Sequence, residues 1–458
     1  MNLPDDFIIR TKPLLTEDWD NFCAALRSDT PVSIRINKRK KAAINKPLQA
    51  VPWNESGYYI DKRPQFTFDP LLHAGSYYVQ EASSMFIGQV MKQYGGEGIK
   101  VLDLCAAPGG KSTLISDMLD EGSLLVSNEV IRPRSYILSE NLTKWGRANT
   151  IVTNNDPADF GKLKGFFDVV LVDAPCSGEG MFRKDEVAID EWSVDNVKLC
   201  KERQQRILAD VWPALKTDGI LIYSTCTYNL GENEENVRWI QDELDAEILS
   251  VETKDEWGIT SSMEDDIAAY RFFPHKTKGE GFFCAVLRKT EQERAYTVKS
   301  KSKDKKNKFD LPDMYKDYLL GSADFRYYQK DDMWNAFPKH LYDNLSVLHP
   351  YLNIISEGIC IGEMKGKDLI PNQSLALSNS LNRDAFTVCD IDWKTAIDYL
   401  RKEAIVLEDQ PKGYILLTYK NVPLGFVKNI GNRANNLYPQ EWRIRSANIP
   451  VDIVSVID

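Results

Sequence analysis

Between residues 71 and 290, short apolar runs alternate with longer segments whose apolar positions recur at helical spacing. The apolar runs predict strands over residues 101–105, 124–129, 150–154, 168–173, 219–225 and 282–288. Helices are predicted between them, for example over 111–119 and 197–215. Strands that are apolar along their whole length are typical of a parallel sheet covered on both faces. The pattern therefore predicts a doubly wound α/β sheet, with its ligand site beyond the carboxyl ends of the strands.

The regions on either side have different patterns. Residues 1–70 combine a helical stretch at 19–26 with an apolar strand at 32–36, which predicts a small α+β domain. A lysine-rich stretch at 299–308 is typical of a domain boundary. Beyond it, two β-like runs at 414–419 and 424–428 are separated by a turn, and they predict a hairpin.

Composition limits the kind of protein without changing this organisation. A chain of 458 residues with 43% hydrophobic and 27% charged residues is expected to fold into two to four domains. No apolar run reaches the roughly 18 residues of a membrane span, and the first residues lack a secretion signal, so we expect a cytoplasmic protein without a membrane partner. The eight cysteines are dispersed and form no C-x-x-C pair, which argues against a disulfide framework and against a metal site.

The net charge of −10 argues against a protein that coats nucleic acid indiscriminately. A local basic groove is still compatible with it, because phosphate attraction is set by charges within about 10 Å. Basic clusters at 35–41 and 299–308 are candidates for such a groove, and they fit solvated loops equally well.

Polar residues follow the predicted strands at the positions where a ligand would bind. After Asp103 comes a loop in which the backbone can approach a ligand closely, before a helix begins; its residues are Cys105, Ala106, Ala107, Pro108, Gly109, Gly110 and Lys111. Glu129 is placed to accept both hydroxyls of a ribose, Asp156 suits an adenine amino group, and Asp173 ends the fourth strand.

Two nucleotide-binding motifs are incomplete. Cys105 stands where a P-loop needs its first glycine, and the G-x-G-x-x-G motif is absent. These features together predict an adenosine cofactor without a pyrophosphate, namely S-adenosylmethionine.

Two cysteines, Cys176 and Cys226, follow the fourth and fifth predicted strands. Carbon 5 of cytosine accepts a methyl group only after a thiolate has added to carbon 6. Asp173 is placed to hold ring nitrogen 3, and a second thiol or a water can assist the later elimination. A cation lowers a thiol pKa, and Lys111, Arg183 and Lys184 are the candidates. The pattern predicts methyl transfer to a pyrimidine, but it does not distinguish the attacking thiol.

Segments 77–85, 103–112, 173–183 and 224–228 resemble the Nop/Sun family of RNA (cytosine-5) methyltransferases, and segments 361–367, 425–428 and 442–445 resemble its RsmF branch. The resemblance implies that Cys226 is the nucleophile and that Cys176 assists product release. It also implies that residues 105–111, Glu129, Asp156 and Asp173 bind S-adenosylmethionine, and that small-subunit (16S) ribosomal RNA is the substrate.

The same resemblance implies four domains. These are an N-terminal α+β RNA-binding domain at 1–70, a Rossmann-like methyltransferase domain at 71–290, an RsmF-type domain at 309–384 and a PUA-like RNA-binding domain at 385–458. We expect a monomer.

RNA contacts are expected close to the thiols. A cytosine inside a helix hides carbons 5 and 6, so the target must be extruded or already unpaired. Tyr77 and Tyr78 are candidates for base stacking, and Arg183 and Lys184 are candidates for phosphate binding. For the tyrosines, a place in the core fits the sequence equally well.

Three other functions remain open at this point. A DNA cytosine-5 methyltransferase shares the ring chemistry but attacks with its Pro-Cys cysteine and has no Ser-Thr-Cys motif. A transfer-RNA cytosine-5 methyltransferase would use the same residues on another substrate. A ribosome assembly factor would bind RNA and cofactor without turnover.

Overall fold

The computed structural model describes residues 2–40, 45–291 and 310–457. The lysine-rich stretch at 299–308 and the end of the basic cluster at 35–41 lie outside these ranges. Within the described ranges, no helix is long and apolar enough to cross a membrane.

The chain begins with two helices and a four-stranded antiparallel sheet of order β2–β3–β1–β4. The elements are α1 (Asp5–Leu15), α2 (Trp19–Leu26), β1 (Val32–Ile36), β2 (Gln49–Val51), β3 (Asn54–Ile60), α3 (Pro70–His73) and β4 (Tyr77–Val79). Because β4 pairs with β1, the N-terminal unit extends to Val79, and the predicted boundary at residue 70 is too early.

The central part of the chain forms the predicted alternation of strands and helices. Its elements are α4 (Ile87–Tyr94), β5 (Lys100–Asp103), α5 (Gly110–Met118), β6 (Leu124–Asn128), α6 (Arg132–Trp145), β7 (Thr150–Thr153), α7 (Pro157–Phe160), β8 (Phe167–Asp173), α8 (Glu186–Glu191), α9 (Val194–Val211), β9 (Leu215–Thr225), α10 (Glu234–Glu243), β10 (Ala246–Leu249), β11 (Thr260–Ser261), β12 (Ala269–Phe272) and β13 (Phe282–Lys289). Strands β7, β6, β5, β8 and β9 are parallel neighbours in that order, and β13 pairs antiparallel with β9.

Each face of this sheet has its own hydrophobic core. Along β5 and β6, Leu102 and Val126 belong to one core, while Val101 and Leu125 belong to the other. Successive side chains of a strand point to opposite faces, so a strand buried on both sides needs an apolar residue at every position. Burial of both faces of the sheet therefore explains the continuous apolar runs of the sequence.

The rest of the chain adds a strand to the central sheet and builds two small sheets. Its elements are α11 (Asp313–Lys316), β14 (Phe325–Lys330), β15 (Met333–Pro338), α12 (Tyr342–Leu348), β16 (Ile354–Glu357), β17 (Ile359–Lys365), β18 (Asp368–Pro371), α13 (Gln373–Leu377), β19 (Thr387–Asp390), α14 (Trp393–Leu400), β20 (Gly413–Tyr419), β21 (Val422–Asn429) and β22 (Ala434–Asn436). The predicted hairpin is β20–β21, closed through Lys420 and Asn421, both with positive φ.

Two features depart from the predicted division at 309–384 and 385–458. Strand β16 pairs antiparallel with β7, so the region 309–384 supplies the edge strand of the methyltransferase sheet. The N-terminal sheet and the C-terminal sheet also share one hydrophobic core, in which Ile34 and Tyr77 lie in the same cluster as Leu417 and Val427. Small sheets bury little apolar surface alone. The two ends of the chain therefore form a joint unit.

Candidate active site

The carboxyl ends of β8 and β9 bring the two predicted cysteines into contact. Asp173 on β8 is the register partner of Ser224 on β9, and each chain continues for only two or three residues to its cysteine. The two Sγ atoms are 3.1 Å apart, and the backbone N–H of Cys226 donates to Cys176 Sγ at 3.3 Å. Both thiols are partly exposed, so a substrate can reach them.

A lysine and a carboxylate lie beside the thiols. Lys111 Nζ, in the first turn of α5, is 2.7 Å from Asp173 Oδ2, and Ser224 Oγ donates to Asp173 Oδ1 at 2.8 Å. Burial alone would lower the pKa of Lys111, but the charges of Asp173, Asp103 and Cys226 raise it overall. Lys111 is therefore a stable ammonium group that pairs with the Asp173 carboxylate and interacts electrostatically with the Cys226 side chain.

The protonated form is favoured at two of the nearby cysteines. The hydrogen bond with Cys226, followed by burial, raises the pKa of Cys176 well above its usual range. Burial likewise raises the pKa of Cys105. A thiol in such surroundings is a poor nucleophile. Cys105 is accordingly not a reacting thiol, and its place in a cofactor-binding loop remains a prediction.

The loop 105–111 joins β5 to α5 as the sequence predicts. Gly109 has φ of +118°, a conformation that favours glycine, and α5 begins at the next residue. Asp103 is fully buried under this loop, and Ser112 Oγ donates to its Oδ2 at 2.6 Å. Its Oδ1 atom has no hydrogen-bond partner among the described residues, and burial raises the pKa of Asp103 to about 7. A buried carboxylate oxygen without a partner fits a cationic ligand group such as the ammonium or sulfonium of S-adenosylmethionine.

Glu129 and Asp156 lie after the ends of the neighbouring strands β6 and β7, as predicted. Glu129 is buried, accepts a hydrogen bond from the backbone N–H of Ile131 at 2.8 Å and pairs with Arg134 at 3.3 Å. Asp156 is exposed and caps α7 through the N–H of Ala158 at 3.1 Å. Both carboxylates retain acceptor capacity, which the ribose and adenine of the cofactor would use.

A buried polar network behind the thiols escaped the sequence analysis. Its central residues are Glu179 and Glu232, which lie in the loops after Cys176 and Cys226 and accept hydrogen bonds across the two loops. The available signal was a run of polar residues directly after each cysteine. Glu232 itself carries no distinct local signal, because the acidic run at 232–235 also fits the start of an exposed helix.

Several predicted RNA contacts are placed differently. The Arg183 side chain is largely buried: it pairs with Glu280 at 3.0 Å and donates to the backbone carbonyl of Gly279 at 2.7 Å, so we assign it a structural role instead of the predicted RNA contact. Tyr77 is also buried and donates to Asp69, which corrects its predicted stacking role. Lys184 is exposed and Tyr78 is partly exposed, and their RNA contacts remain predictions. Arg35, in the basic cluster, is buried in an ion pair with Asp117.

In the described part of the chain, no three His, Cys, Asp or Glu residues gather in a way that would hold a metal ion.

Three protein-family models together match most of the chain. The model of the family described as 16S rRNA methyltransferase RsmB/F matches residues 92–288. The N-terminal domain of 16S rRNA methyltransferase RsmF matches 3–82, and the methyltransferase RsmF PUA domain matches 386–444. The ribosomal RNA small subunit methyltransferase F of Shigella dysenteriae serotype 1 is 29% identical over 475 aligned positions that cover 96% of each chain, and that of Escherichia coli O17:K52:H18 has the same values.

The chain belongs to the RsmB/F methyltransferase family. This confirms the family predicted from the sequence, including its RsmF branch. It also confirms the Rossmann-like methyltransferase core with a PUA-like C-terminal region, and S-adenosylmethionine as the cofactor.

Solved structures support the same fold for the RsmB/F core. A methyltransferase homologue from Pyrococcus horikoshii is 28% identical, with a TM-score of 0.54, and the match covers 62% of this chain and 95% of that one. NSun6 from the same organism, solved with SFG, is 19% identical with a TM-score of 0.54, over 63% of this chain and 99% of that one. At this identity, the second likeness concerns the fold alone.

Proposed function

We propose that this protein transfers a methyl group from S-adenosylmethionine to carbon 5 of a cytosine in small-subunit ribosomal RNA, through a covalent bond between Cys226 and the base. The observation that carries the proposal is the contact of two partly exposed thiols, 3.1 Å apart, beside the Lys111–Asp173 ion pair. Transfer without a covalent intermediate needs no thiol, and a structural cysteine pair needs no neighbouring ammonium group.

The addition step uses Cys226, Asp173 and Lys111. The Cys226 thiolate adds to carbon 6, and the electron pair of the carbon 5–carbon 6 bond moves onto carbon 5. Asp173 accepts a hydrogen bond from protonated ring nitrogen 3, which favours the electron-rich ring. Lys111 and Ser224 hold the Asp173 carboxylate in position from both of its oxygens. When bound, S-adenosylmethionine supplies an electrophilic methyl group.

The elimination step uses Cys176. The proton on carbon 5 leaves to water, its electron pair restores the double bond, and the carbon 6–sulfur bond breaks with its electrons returning to Cys226. The Cys176 thiol lies 3.1 Å from Cys226 Sγ, within reach to donate a hydrogen bond to the departing thiolate. Without that donor, the covalent enzyme–RNA species should persist.

The choice of ribosomal RNA rests on the relatives and on the C-terminal region. The curated relatives that align with 96% of this chain are ribosomal RNA small subunit methyltransferases, and residues 386–444 match an RsmF PUA domain. We accordingly propose the PUA-like region and the N-terminal unit as RNA-binding parts. A monomer remains our expectation.

The test combines trapping with mapping. RNA that contains 5-fluorocytidine carries fluorine where a proton must leave, so it should accumulate as a covalent adduct on the wild-type protein and not on Cys226→Ala. In parallel, radiolabelled S-adenosylmethionine is incubated with naked 16S RNA and with small subunits from cells that lack the enzyme, and 5-methylcytosine is mapped.

Label at discrete small-subunit cytosines is the expected result. Label confined to transfer RNA would retain the chemistry and replace the substrate. An adduct formed only on DNA would overturn the RNA assignment, and the absence of label and adduct on every substrate would favour an assembly factor without turnover.

A further inference from the structure

Two buried glutamates join the loops that follow the two cysteines. Glu179 accepts hydrogen bonds from the backbone N–H groups of Tyr228 and Asn229, at 2.8 and 2.9 Å. Glu232 accepts from the backbone N–H of Ser177 at 3.0 Å. The carbonyl of Cys226 accepts from Gly180 N–H at 2.8 Å. These bonds hold the two thiols against each other from behind.

The hydrogen bonds of Glu232 indicate that it is ionised. Besides Ser177, its oxygens accept from Gln204 Nε2 at 2.7 Å and from Asn229 Nδ2 at 2.8 Å. All three partners are donors, and a protonated carboxyl group would point its proton at one of them. Burial raises the pKa of Glu232 overall, although its hydrogen bonds with Ser177 and Asn229 oppose that rise.

No ion pair in the described ranges involves Glu232, whose exposed fraction is 0%. Burying a carboxylate without a counter-ion is costly. The negative charge itself is thus the feature that needs an explanation.

The charge acts on the thiol pair from one side. It is one of the groups that raise the pKa of Cys176, after the hydrogen bond with Cys226 and burial. On the other side, the Lys111 ammonium interacts with Cys226. A negative charge therefore acts on Cys176, from a carboxylate bonded to the next residue, Ser177, and a positive charge acts on Cys226.

We propose that Glu232 is a positioning residue for the thiol pair: its carboxylate ties the Cys176 loop to the Cys226 loop and keeps the shared proton on Cys176, so that Cys226 is the thiolate that attacks. The inference rests on the proposed function, and it gives a physical reason for the division of roles between two chemically identical side chains. The same Cys176 S–H then donates to Cys226 Sγ when the carbon 6–sulfur bond breaks.

Other titratable groups around the pair do not provide this bias. Asp173 on β8 is paired with Lys111, and Cys200 on α9 stays protonated because burial raises its pKa to about 11. Tyr223 on β9 is buried with its pKa raised well above the usual range. Glu179 makes its hydrogen bonds to the Cys226 loop and to the Trp192 indole.

The test measures the reactivity of each thiol without RNA or cofactor. Iodoacetamide is added to the full-length protein at low extent of modification, from about pH 6 to about pH 9, and each cysteine peptide is quantified by mass spectrometry. In the wild-type protein, Cys226 should react at least about tenfold faster than Cys176 near neutral pH. In Glu232→Gln, the rate at Cys176 should rise about tenfold, the change produced by one pKa unit.

Two variants serve as controls. Glu235→Gln removes a largely exposed charge that pairs with Lys201, and its alkylation ratio should equal that of the wild type. Glu179→Gln weakens the connection between the loops without removing the charge next to Cys176, so it should also leave the ratio unchanged. If Glu179→Gln shifts the ratio as much as Glu232→Gln does, the charge has no specific role and the proposal is overturned.

The wild-type profile is decisive even if Glu232→Gln does not fold. Faster alkylation of Cys176 than of Cys226 across the whole pH range would overturn the proposal, as would an unchanged ratio in a folded Glu232→Gln protein. Alkylation does not depend on cytosine chemistry. A preserved reactivity pattern without any 5-fluorocytidine adduct would therefore reject the proposed function and leave the thiol bias in place.

Discussion

Two regions of the active site differ in how fully their polar side chains are hydrogen-bonded. At the ends of β5, β6 and β7, where the cofactor is expected, polar side chains have few hydrogen-bond partners. Near the thiols at the ends of β8 and β9, the buried polar side chains have many. Asp103 Oδ1 has no partner among the described residues, and Asp156 is exposed. Behind the thiols, Glu179 and Glu232 each accept at least three hydrogen bonds.

The surroundings of the two regions differ in the same way. Helices α1 and α2 cover the thiol loops through aromatic contacts. The ring centroids of Phe7 and Phe182 are 5.1 Å apart, as are those of Phe22 and Tyr228. Next to the cofactor region, Ile131, Tyr136 and Ile137 are about half exposed. A cofactor that exchanges in every cycle completes its own site, whereas the reacting thiols gain from being positioned in advance.

The largest effect is expected when the thiol region loses a reacting atom. Cys226→Ala should lower methylation by more than about 10³-fold, because no other group adds to carbon 6. Cys176→Ala should instead accumulate the covalent RNA species, seen as a shifted band on a denaturing gel. Cys389→Ala, on a C-terminal strand, is the matched control and should behave as wild type. Residual Cys226→Ala activity within about tenfold of wild type would contradict the assignment.

A backbone change should separate the two thiol loops while leaving the cofactor region intact. A Cβ atom at Gly180 would lie 2.8 Å from the Cys226 carbonyl oxygen and 2.7 Å from that of Gly281. Gly180→Ala should cost about 1–3 kcal/mol of stability and lower the methylation rate by about tenfold or more, with unchanged cofactor affinity by calorimetry.

The control for this backbone change is Gly96→Ala. The added methyl group there would lie 3.4 Å from Ile99 and should have little effect. Normal methylation by Gly180→Ala would show that the loops tolerate separation.

A substitution in the cofactor region should change the affinity for the cofactor and leave the reactivity of the thiols unchanged. Glu129→Gln removes the buried charge expected to hold the ribose, so the dissociation constant for S-adenosylmethionine should rise about tenfold. Alkylation of Cys226 should not change. The control is Glu55→Gln, which removes a surface charge paired with Lys92. If Glu129→Gln changed the alkylation rate of Cys226 and left the cofactor affinity normal, Glu129 would act on the thiols and not on the cofactor.

The last prediction concerns the pH dependence of stability that Asp103 contributes. Its pKa is raised to about 7 by burial, and Asp173, Lys111 and Glu129 are the charged groups that face it. An acid whose pKa is raised on folding stabilises the protein when protonated. This contribution is present below about pH 4 and is lost as the pH rises through about 7. The stability difference between wild type and Asp103→Asn should therefore change over this interval in urea denaturation, and a constant difference would contradict the raised pKa.

Much of the catalytic domain could be predicted from local patterns. All six predicted strands form. They were predictable because a strand buried on both faces needs a continuous run of apolar residues. The cofactor loop was also predictable, since Gly109 is required by its own backbone conformation. These features depend on residues that are neighbours in the chain.

The exposure of individual polar residues was less predictable. Arg183 follows Cys176 closely and has the charge of a phosphate-binding residue, but Glu280, nearly a hundred residues later, holds it inside the fold. Strand β16 likewise joins the methyltransferase sheet from beyond the predicted domain boundary. In both cases the partner is distant in sequence and leaves no local signal.

The sequence by itself determined the class of sheet, the family, the cofactor and the pair of cysteines, because periodicity and short motifs carry that information. The tertiary structure decided that the two thiols touch, since the register of β8 and β9 brings together residues 50 positions apart. It also decided that Glu232 accepts a hydrogen bond from Ser177, the residue after Cys176, and that Lys111 pairs with Asp173 at the ends of the same strands. Electrostatic effects on a thiol depend on distances in space, and only the packed fold sets those distances.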